Sequence, residues 1–482
     1  MSRFSQQKVG TKTVNLAGGE AYQESADLEL VSILLTSFVQ DQFYKSASDS
    51  IDRVAELLDS VDPLFAAKAA IFARTEFGMR TITHVLAGEL AKKVKNANWT
   101  KRFFDKIVYR PDDMIEIMAY YMLKYGKRPI PNSMKRGFTL AFKRFDEYQI
   151  AKYAKAGKTL SLIDVANLIS GRKTDRLGNA VSRLSRGMIF VPDTWEVRMT
   201  KAGQESKTEE EKEAAKATTW KELLVQKKLG YFALLRNLRN IAETVDDETF
   251  EMALDYLVNR KAIKNSLVLP FRYETAREGF LSNQIKKHGE RLGRIFDALG
   301  EALEASCDNV PVLSGETLVA LDRSGSMMGR PMDIAKLFAA VLFKSKNNVD
   351  VLWFDTDAEY VQLTKRDSIE TIINKMPEAR GGTDFELVFN AARKAYDRII
   401  ILSDMQAWVG WYTTKAAFSE YKIKFGVDPK IYSFDLAGYG TLQFPERNIF
   451  ALAGFSEKIF DIMGMLEEDP KALINKINAV EV

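Results

Sequence analysis

The sequence of 482 residues is poor in the residues that build cysteine and histidine sites. It contains one cysteine, Cys307, and two histidines, His84 and His288. A single cysteine excludes an internal disulfide and a cysteine metal cluster, and it is typical of a reducing compartment. Neither histidine stands in a metal-hydrolase or nucleophile pattern, and no Gly-x-x-x-x-Gly-Lys-Ser/Thr phosphate loop occurs. We therefore expect both histidines to be ordinary helix residues and the protein not to be an enzyme.

Long apolar runs are also missing. No stretch of 18 apolar residues occurs, and the N-terminal segment carries Arg3 and Lys8 without the apolar run of a secretion signal. We therefore expect a cytoplasmic protein with no membrane-spanning segment. Hydrophobic residues make up 46% of the chain, which is ample for packed cores. Because 482 residues exceed what one hydrophobic core normally serves, we expect two or more domains.

The C-terminal part alternates short apolar runs with helical patterns. Runs typical of buried parallel strands cover residues 317–321, 349–354, 399–402 and 431–434. Helical patterns cover residues 332–346, 368–375, 385–396 and 415–422. This alternation predicts a doubly wound α/β sheet, in which ligands bind beyond the carboxyl ends of the strands.

Five oxygen-bearing side chains stand in three segments of this region. Asp322, Ser324 and Ser326 follow the first apolar run, Thr383 lies in a Gly-Gly-Thr-Asp segment, and Asp404 follows the third run. Hard divalent cations prefer such ligands and keep part of their water shell, so the pattern predicts an Mg²⁺ or Mn²⁺ site. The alternative is a group of turn residues that only cap helix N-termini.

Before residue 305 the pattern is helical. Apolar residues at spacings of three and four predict amphipathic helices over 28–39, 51–58, 63–77, 83–93, 113–123 and 232–242. No comparable series of strands is evident, and helix count alone predicts an α-solenoid of stacked helix pairs. The charged segment 200–216 is expected to be a solvated helix or a loop insertion. We place the helical domain at residues 1–305 and the α/β domain at residues 306–482.

Basic residues concentrate in one zone of the helical region. Residues 121–190 contain fifteen lysines and arginines but four acidic residues, a net charge of +11 in a chain of net charge +4. Such a zone is the footprint expected of a protein that binds phosphate backbones, whereas the alternative is a solubilising surface. Exposed aromatic residues here could stack unpaired bases, although at helical spacing most are expected in the core. Those aromatic residues are Tyr125, Phe138, Phe142, Phe145, Tyr148 and Tyr153.

The metal pattern resembles a known site. An Asp-x-Ser-x-Ser motif, a later isolated threonine and an aspartate after a further strand are similar to the metal-ion-dependent adhesion site of von Willebrand factor A domains. The resemblance implies that Ser324, Ser326 and Thr383 contact the metal. It also implies that Asp404 acts largely through water and that Asp322 orients the loop.

A helical region followed by such a domain resembles the Ro ribonucleoprotein (TROVE-domain) family. Local agreement occurs at Gly18-Gly19-Glu20-Ala21-Tyr22, Lys152-Tyr153, Ala233-Leu234-Leu235-Arg236-Asn237-Leu238 and Pro270-Phe271. The resemblance implies HEAT-like helical repeats in a ring closed by the A domain. It also implies that small structured Y RNAs bind the basic outer surface and that single-stranded 3′ ends of defective RNAs enter the central hole.

The family's RNA contacts carry over only in part. Lys152 matches a lysine that binds the RNA backbone, but a family arginine falls at Ala156 and a family histidine falls near Ser170. Neighbouring basic residues can substitute, because backbone phosphates require charge more than residue identity. The candidate RNA-binding residues are Lys127, Arg128, Lys135, Arg136, Lys152, Lys155, Lys158, Arg172 and Lys173.

Together with these patterns, the resemblance implies a non-enzymatic scaffold for small structured noncoding RNA and for 3′ ends of misfolded RNA. We expect it to act in RNA quality control or with an exoribonuclease partner, as a monomer, with neither DNA nor a membrane as ligand. The alternative is a metal-dependent protein-interaction module, of the adhesion or ATPase-partner type, that grips a partner's carboxylate at the cation. A metal-dependent nuclease is a weaker third alternative, because nucleases usually need a carboxylate-rich site.

Overall fold

Helices are the main secondary structure of the described residues up to residue 306. The computed structural model describes residues 11–14, 20–23, 26–36, 47–127, 129–154, 160–171, 173–189, 193–282, 289–404, 411–436, 441–442, 449–453, 460, 463–464, 467 and 472–482. The helices of this part are α1 Ala26–Thr36, α2 Ala47–Leu57, α3 Pro63–Thr75, α4 Thr81–Lys93, α5 Thr100–Lys106, α6 Pro111–Tyr125, α7 Asn132–Arg144, α8 Glu147–Tyr153, α9 Leu162–Ser170, α10 Asn179–Ser185, α11 Trp195–Glu205, α12 Glu209–Val225, α13 Tyr231–Thr244, α14 Asp247–Leu257, α15 Arg260–Ser266, α16 Phe271–Ser282 and α17 Leu292–Ser306. No described helix is both long and apolar enough to cross a bilayer.

Two of the predicted helices begin at motifs that combine Asp and Pro. Helix α3 begins at Pro63, and the carboxylate of Asp62 accepts hydrogen bonds from the backbone N–H groups of Leu64 and Phe65. Helix α6 begins at Pro111. The missing N–H of proline removes no helical hydrogen bond there, because the N–H groups of the first turn have no acceptor within the helix. The segment 200–216, expected as a solvated helix or a loop, forms the end of α11 and the first half of α12.

A short hairpin precedes the helices and was not predicted. Strand β1, Thr11–Val14, pairs antiparallel with β2, Glu20–Gln23. Strand β2 then pairs antiparallel with Thr441–Leu442, which lies near the other end of the chain. Strands of four residues carry too little periodicity to be recognised, and a partner so distant in sequence leaves no local signal.

The C-terminal part is a doubly wound sheet, as predicted. Its elements are β3 Glu316–Asp322, α18 Arg330–Lys344, β4 Asn348–Phe354, β5 Ala358–Tyr360, α19 Ile369–Lys375, α20 Glu386–Asn390, β6 Arg398–Ser403, α21 Trp411–Phe425, β7 Lys430–Asp435, β8 Thr441–Leu442, β9 Ile449–Ala453 and α22 Ala472–Ala479. The strand order is β5-β4-β3-β6-β7-β9, and every pair is parallel except β4 with β5. The order reverses between β3 and β6, which makes that pair the switch point where ligands bind in such sheets.

The helix predicted over residues 385–396 is shorter than expected. Helix α20 ends at Asn390, six residues before the predicted end. Beyond it, the backbone N–H of Arg393 donates to the Tyr360 hydroxyl at 3.2 Å, and the N–H of Tyr396 donates to the Tyr421 hydroxyl at 2.8 Å. Tertiary hydroxyl acceptors therefore satisfy backbone donors that a longer helix would have used.

The sheet has an apolar core on each face. Alternate side chains of β3 point to opposite sides, so Leu318 and Ala320 join one cluster while Val319 and Leu321 join the other. The first cluster is closed by α20 and α21. The second cluster includes α18 and α19 and is continuous with the core of the helical region.

Both ends of the helical region meet the sheet domain. At the N-terminal end, α1 packs on β9 and α3 packs on α22, where the Lys68 ammonium donates to the carbonyl of Asn478 at 2.5 Å. At the other end, the Phe460 ring stacks on Phe271 of α16 at 6.5 Å and on Phe338 of α18 at 5.3 Å. The helices therefore leave the sheet and return to it, which is the closure that the predicted ring requires. The boundary placed at residues 305 and 306 stays a prediction.

Candidate metal centre and nucleic-acid interface

Asp322 ends strand β3 and is completely buried. Its Oδ1 accepts a hydrogen bond from the backbone N–H of Ser324 at 2.8 Å, and its Oδ2 accepts one from the Ser403 hydroxyl at 2.5 Å. Because Ser403 ends the neighbouring parallel strand β6, this bond joins the two strands at their carboxyl ends. Asp404 follows directly and is also buried.

The other predicted metal ligands converge on the same edge of the sheet. The hydroxyls of Ser324 and Ser326 lie 3.1 Å apart, in the turn that follows β3. The backbone N–H of Gly325 donates to the carbonyl of Gly381 at 3.0 Å, and this bond brings in the segment that carries the buried Thr383. The structure thus gathers all three predicted segments at the switch point of the sheet.

An arginine within the metal motif was not recognised as important from the sequence. The Nε of Arg323 donates to the Asp355 carboxylate at 2.7 Å. The centre of the Arg323 guanidinium group lies 3.3 Å from the centroid of the Trp353 ring. Both Arg323 and Asp355 are buried. Burial acts to raise the pKa of Asp355, but the hydrogen bond and charge of Arg323 lower it below its ordinary value. This ion pair fixes the turn after β3 to the end of β4.

The residues present fit a hard divalent cation. Burial raises the pKa of Asp322 to about 7, and the nearby charge of Asp404 adds to this rise, while hydrogen bonds from Ser403 and Ser324 oppose it. A cation beside these carboxylates would favour their charged forms. The described residues contain no group of three or more His, Cys, Asp or Glu side chains placed to hold a metal. A cation here would therefore rely on hydroxyl oxygens, which suits Mg²⁺ or Mn²⁺ better than zinc.

The basic zone is largely exposed where the structure describes it. Among the candidate RNA-binding residues, Lys127, Arg136, Lys152 and Lys173 are exposed and Lys135 is half-buried. The remaining candidates lie outside the described residues, namely Arg128, Lys155, Lys158 and Arg172. Some other basic residues of the zone are paired with acids, as in Arg183 with Glu147 at 2.9 Å.

Four of the six aromatic residues of the zone belong to the core, as expected. Phe138, Phe142 and Phe145 are buried, and the half-buried Tyr125 packs against the same core. Tyr148, in contrast, is exposed. An aromatic residue before the zone, Tyr109, is also exposed, and no local sequence signal pointed to it.

His84 has a more specific environment than an ordinary helix residue. Its Nε2 lies 3.0 Å from Oδ1 of Asp113, and both side chains are buried. Asp113 also pairs with the buried Arg74 at 2.9 Å and accepts the backbone N–H groups of Tyr109 at 2.9 Å and Arg110 at 2.8 Å. The arrangement is a closed structural network at the start of α6. His288 lies outside the described residues.

The chain matches known proteins in both of its parts. A family model described as the TROVE domain matches residues 28–161 and 185–333, and a model described as the Ro60 vWA domain matches residues 316–466. Telomerase protein component 1 of Rattus norvegicus is 24% identical over 360 residues, which cover 56% of this chain and 14% of that protein. The chain therefore spans only a small part of that relative.

Two further matches extend over nearly the whole chain. The RNA-binding protein RO60 of Deinococcus radiodurans is 23% identical over 511 residues, covering 93% of this chain and 94% of that protein. The crystal structure of the Deinococcus radiodurans RO (RSR) protein has a TM-score of 0.64 at 20% identity and covers 94% of this chain and 99% of that one. The TROVE match covers more than half of the sequence, and the chain therefore belongs to the Ro ribonucleoprotein (TROVE-domain) family.

Proposed function

We propose that the protein is an RNA-binding scaffold that holds small structured noncoding RNA through its backbone phosphates. The observation that carries this proposal is the state of the described basic side chains in the zone 121–190. Seven of them form no ion pair with an acid within the described part of the chain, and six of these seven are exposed. The seven are Lys127, Lys135, Arg136, Lys143, Lys152, Lys173 and Arg176.

Unpaired cations on a surface create a positive potential that attracts a polyanion. Each protein cation that replaces a condensed counterion at an RNA phosphate adds salt-dependent affinity without reading sequence. A folded RNA presents phosphates on a rigid frame, so several cations can be satisfied at once. The relative from Deinococcus radiodurans, which matches almost end to end, is itself called an RNA-binding protein.

The finer parts of the proposal concern the cognate RNA and the partners. We propose a Y-like RNA on the basic surface and 3′ ends of misfolded RNA as further ligands. An exoribonuclease is the expected protein partner, and the protein is expected to act as a cytoplasmic monomer without its own catalytic activity. The return of the helices to the sheet supports a closed frame on which an RNA could be presented.

Charge reversal tests RNA binding directly. The affinity of the purified protein for a labelled small hairpin RNA is measured by fluorescence anisotropy at several salt concentrations. Lys152→Glu with Lys173→Glu should weaken binding about tenfold or more and reduce the slope of log affinity against log salt by about two. Lys201→Glu with Lys207→Glu is the matched control, because both lysines are exposed and lie outside the zone. Equal affinities for the two double variants would contradict the proposal.

We further propose that the carboxyl edge of the sheet holds Mg²⁺ or Mn²⁺. The side chains that would hold it are those of Asp322, Ser324, Ser326, Thr383 and Asp404. When bound, the cation would supply a Lewis-acidic centre with exchangeable water ligands. The buried carboxylates of Asp322 and Asp404 support the charge of the site, while the exposed Ser326 leaves one side open to solvent.

A second candidate function uses this open side. Met328 is 72% exposed and lies two residues after Ser326, so an apolar contact is available beside the metal site. A partner protein could place a carboxylate on the cation and an apolar side chain on Met328. Capture of such a partner should be lost with EDTA or with Asp322→Ala, whereas RNA binding at the basic zone should survive both. RNA binding that disappears with EDTA would show that the two sites are not separate.

A further inference from the structure

A groove lies between helices α12 and α14, away from the basic zone and from the candidate metal site. Its volume is about 270 Å³. Sites for drug-sized molecules usually measure about 300–1,000 Å³, so this groove suits one inserted side chain of a partner better than a whole small molecule. The lining residues that matter here are Ala217, Lys221, Glu222 and Val225 of α12, the α14 cap Asp246 and Thr249 of α14.

The residue spacing of α12 gives the groove an apolar wall. The buried side chains of this helix, which face the core, are Trp220, Leu223 and Leu224. Ala217, Lys221 and Val225 stand four residues apart, so they follow one another along a neighbouring face. The Lys221 ammonium lies 2.8 Å from the Glu248 carboxylate and 3.4 Å from that of Asp246, which joins α12 to the start of α14. Val225, at the end of α12, is 58% exposed and offers apolar surface to a partner.

The surface around the groove is acidic. Helix α12 and residues 246–257, which contain the cap and all of α14, hold ten acidic residues but three lysines and no arginine, a net charge of −7. Nine of the ten acidic side chains are exposed. Two arginines outside these helices pair with acids of α14, namely Arg291 with Asp247 and Arg294 with Glu251. With these arginines and with Lys227, which follows α12, the net charge is still −4. Such a surface repels the phosphates of RNA and attracts a cationic partner.

A buried polar group at the floor of the groove lacks a hydrogen-bond partner. Thr249 is 1% exposed, and its backbone N–H donates to the Asp246 carboxylate at 2.7 Å. Its hydroxyl lies near the same carboxylate and helps to lower the pKa of Asp246. No group in the described part of the chain, however, meets this hydroxyl at hydrogen-bond geometry. Because a buried hydroxyl without a partner costs free energy, a donor from outside the chain would complete this site.

We propose that the groove docks a segment of a partner protein that is rich in lysine and arginine. One lysine or arginine side chain of the segment enters the groove. Its aliphatic stem packs against Ala217 and Val225, while its charged end donates to the Thr249 hydroxyl and pairs with Glu222. The proposal goes beyond RNA binding and does not depend on it, since the groove lies outside the basic zone. It gives the protein separate surfaces for a polyanion and for a cationic protein segment.

The test measures the binding of two labelled peptides by fluorescence anisotropy at pH 6.5. The full-length protein is first freed of nucleic acid at high salt. One peptide alternates lysine with serine, and the other carries diaminobutyric acid in place of lysine, which keeps the ammonium charge but shortens the aliphatic stem. The variants are Glu222→Lys, Thr249→Val and Glu210→Lys. Glu210→Lys is the matched control, because Glu210 is also exposed on α12 and lies about 18 Å from Glu222 along the helix axis.

We expect the lysine peptide to bind about tenfold more tightly than the short peptide, because the longer stem buries two further CH₂ groups. Glu222→Lys should weaken binding of the lysine peptide about tenfold and Thr249→Val about threefold or more, while Glu210→Lys should change it less than about twofold. The proposal is overturned if the lysine peptide does not bind, if both peptides bind equally, or if Thr249→Val leaves the affinity unchanged. Equal losses in Glu222→Lys and Glu210→Lys would also overturn it, because they would show attraction by the whole acidic surface.

Sedimentation of the unaltered protein at low salt tests the identity of the occupant. We expect a monomer. A dimer that is lost both in Glu222→Lys and in Lys152→Glu would identify the occupant as the basic zone of a second copy and would overturn the assignment to a partner protein.

Discussion

Replacing Asp113 by asparagine should cost the protein a large part of its stability. The Asp113 carboxylate is completely buried and accepts hydrogen bonds from Arg74 at 2.9 Å and from the backbone N–H groups of Tyr109 and Arg110 at 2.9 and 2.8 Å. His84 lies 3.0 Å from its other oxygen. An asparagine has the same shape, but it offers one acceptor oxygen, removes the negative charge and directs an NH₂ group at other donors.

The expected loss of stability follows from the buried charge that Asp113→Asn leaves behind. Arg74 stays buried without a counter-charge, and breaking a buried ion pair on one side costs about 3–5 kcal/mol. Native domains are stable by about 5–15 kcal/mol, so Asp113→Asn should lower the unfolding midpoint clearly in urea denaturation followed by circular dichroism. Asp105→Asn is the matched control, because Asp105 pairs with the exposed Arg144 and such a pair contributes about 0–1 kcal/mol. The reasoning is refuted if both variants unfold within about 1 kcal/mol of the unaltered protein.

The same carboxylate predicts a pH effect. Burial acts to raise the pKa of Asp113, but the hydrogen bond and charge of His84, the charge of Arg74 and the Arg110 N–H together lower it from 3.8 to about 2. A lowered pKa means that the stabilisation is present above the ordinary value and is lost as the pH falls from about 4 to about 2. The difference corresponds to about 2.5 kcal/mol. Between these pH values the unaltered protein should lose stability more steeply than Asp113→Asn, and parallel profiles would contradict this assignment.

Three further changes test helix packing and the candidate metal site at the carboxyl edge of the sheet. Gly137→Ala should destabilise the protein by about 1–3 kcal/mol in urea denaturation, because a Cβ at this position would lie 2.7 Å from the carbonyl oxygen of Lys101 in α5. Gly203→Ala should instead stabilise it by about 0.5–1 kcal/mol, since α11 has room for the methyl group there. A Gly203→Ala variant that is less stable than Gly137→Ala would contradict the packing described at these two positions. Arg323→Met should weaken Mn²⁺ binding about 10- to 100-fold in calorimetry, because the turn loses its anchor on Asp355. Unchanged affinity in that variant would show that the turn is fixed by other contacts.

Elements with local signals could be predicted from the sequence. Asp62 beside Pro63 marks the start of α3 because a carboxylate cap and a missing N–H both belong to a helix N-terminus. The apolar run before Asp322 predicts β3 because a strand buried on both faces needs no polar alternation. The metal motif was visible for a similar reason, since each of its three segments is short and two of them directly follow such runs.

Features that join distant residues could not be predicted in the same way. The hairpin strand β2 pairs with a segment near the other end of the chain. The Arg323 and Asp355 ion pair joins the ends of two strands, and the contact of the Arg110 guanidinium with the Tyr153 ring joins the start of α6 to α8. These contacts depend on how whole elements pack, so no window of neighbouring residues contains them. The predicted end of helix α20 was wrong for a related reason. Hydroxyl groups of tyrosines that are distant in sequence accept hydrogen bonds from the backbone N–H groups beyond the helix.

The central claim, that the exposed basic zone holds a small structured RNA, is tested most directly by purification at low salt. The 260/280 nm absorbance ratio of the purified protein is measured, and any RNA that survives nuclease trimming is sequenced. We predict a raised ratio and one abundant small structured RNA, both reduced in Lys152→Glu with Lys173→Glu. Protein that is free of nucleic acid and that also fails to bind added RNA would contradict the claim.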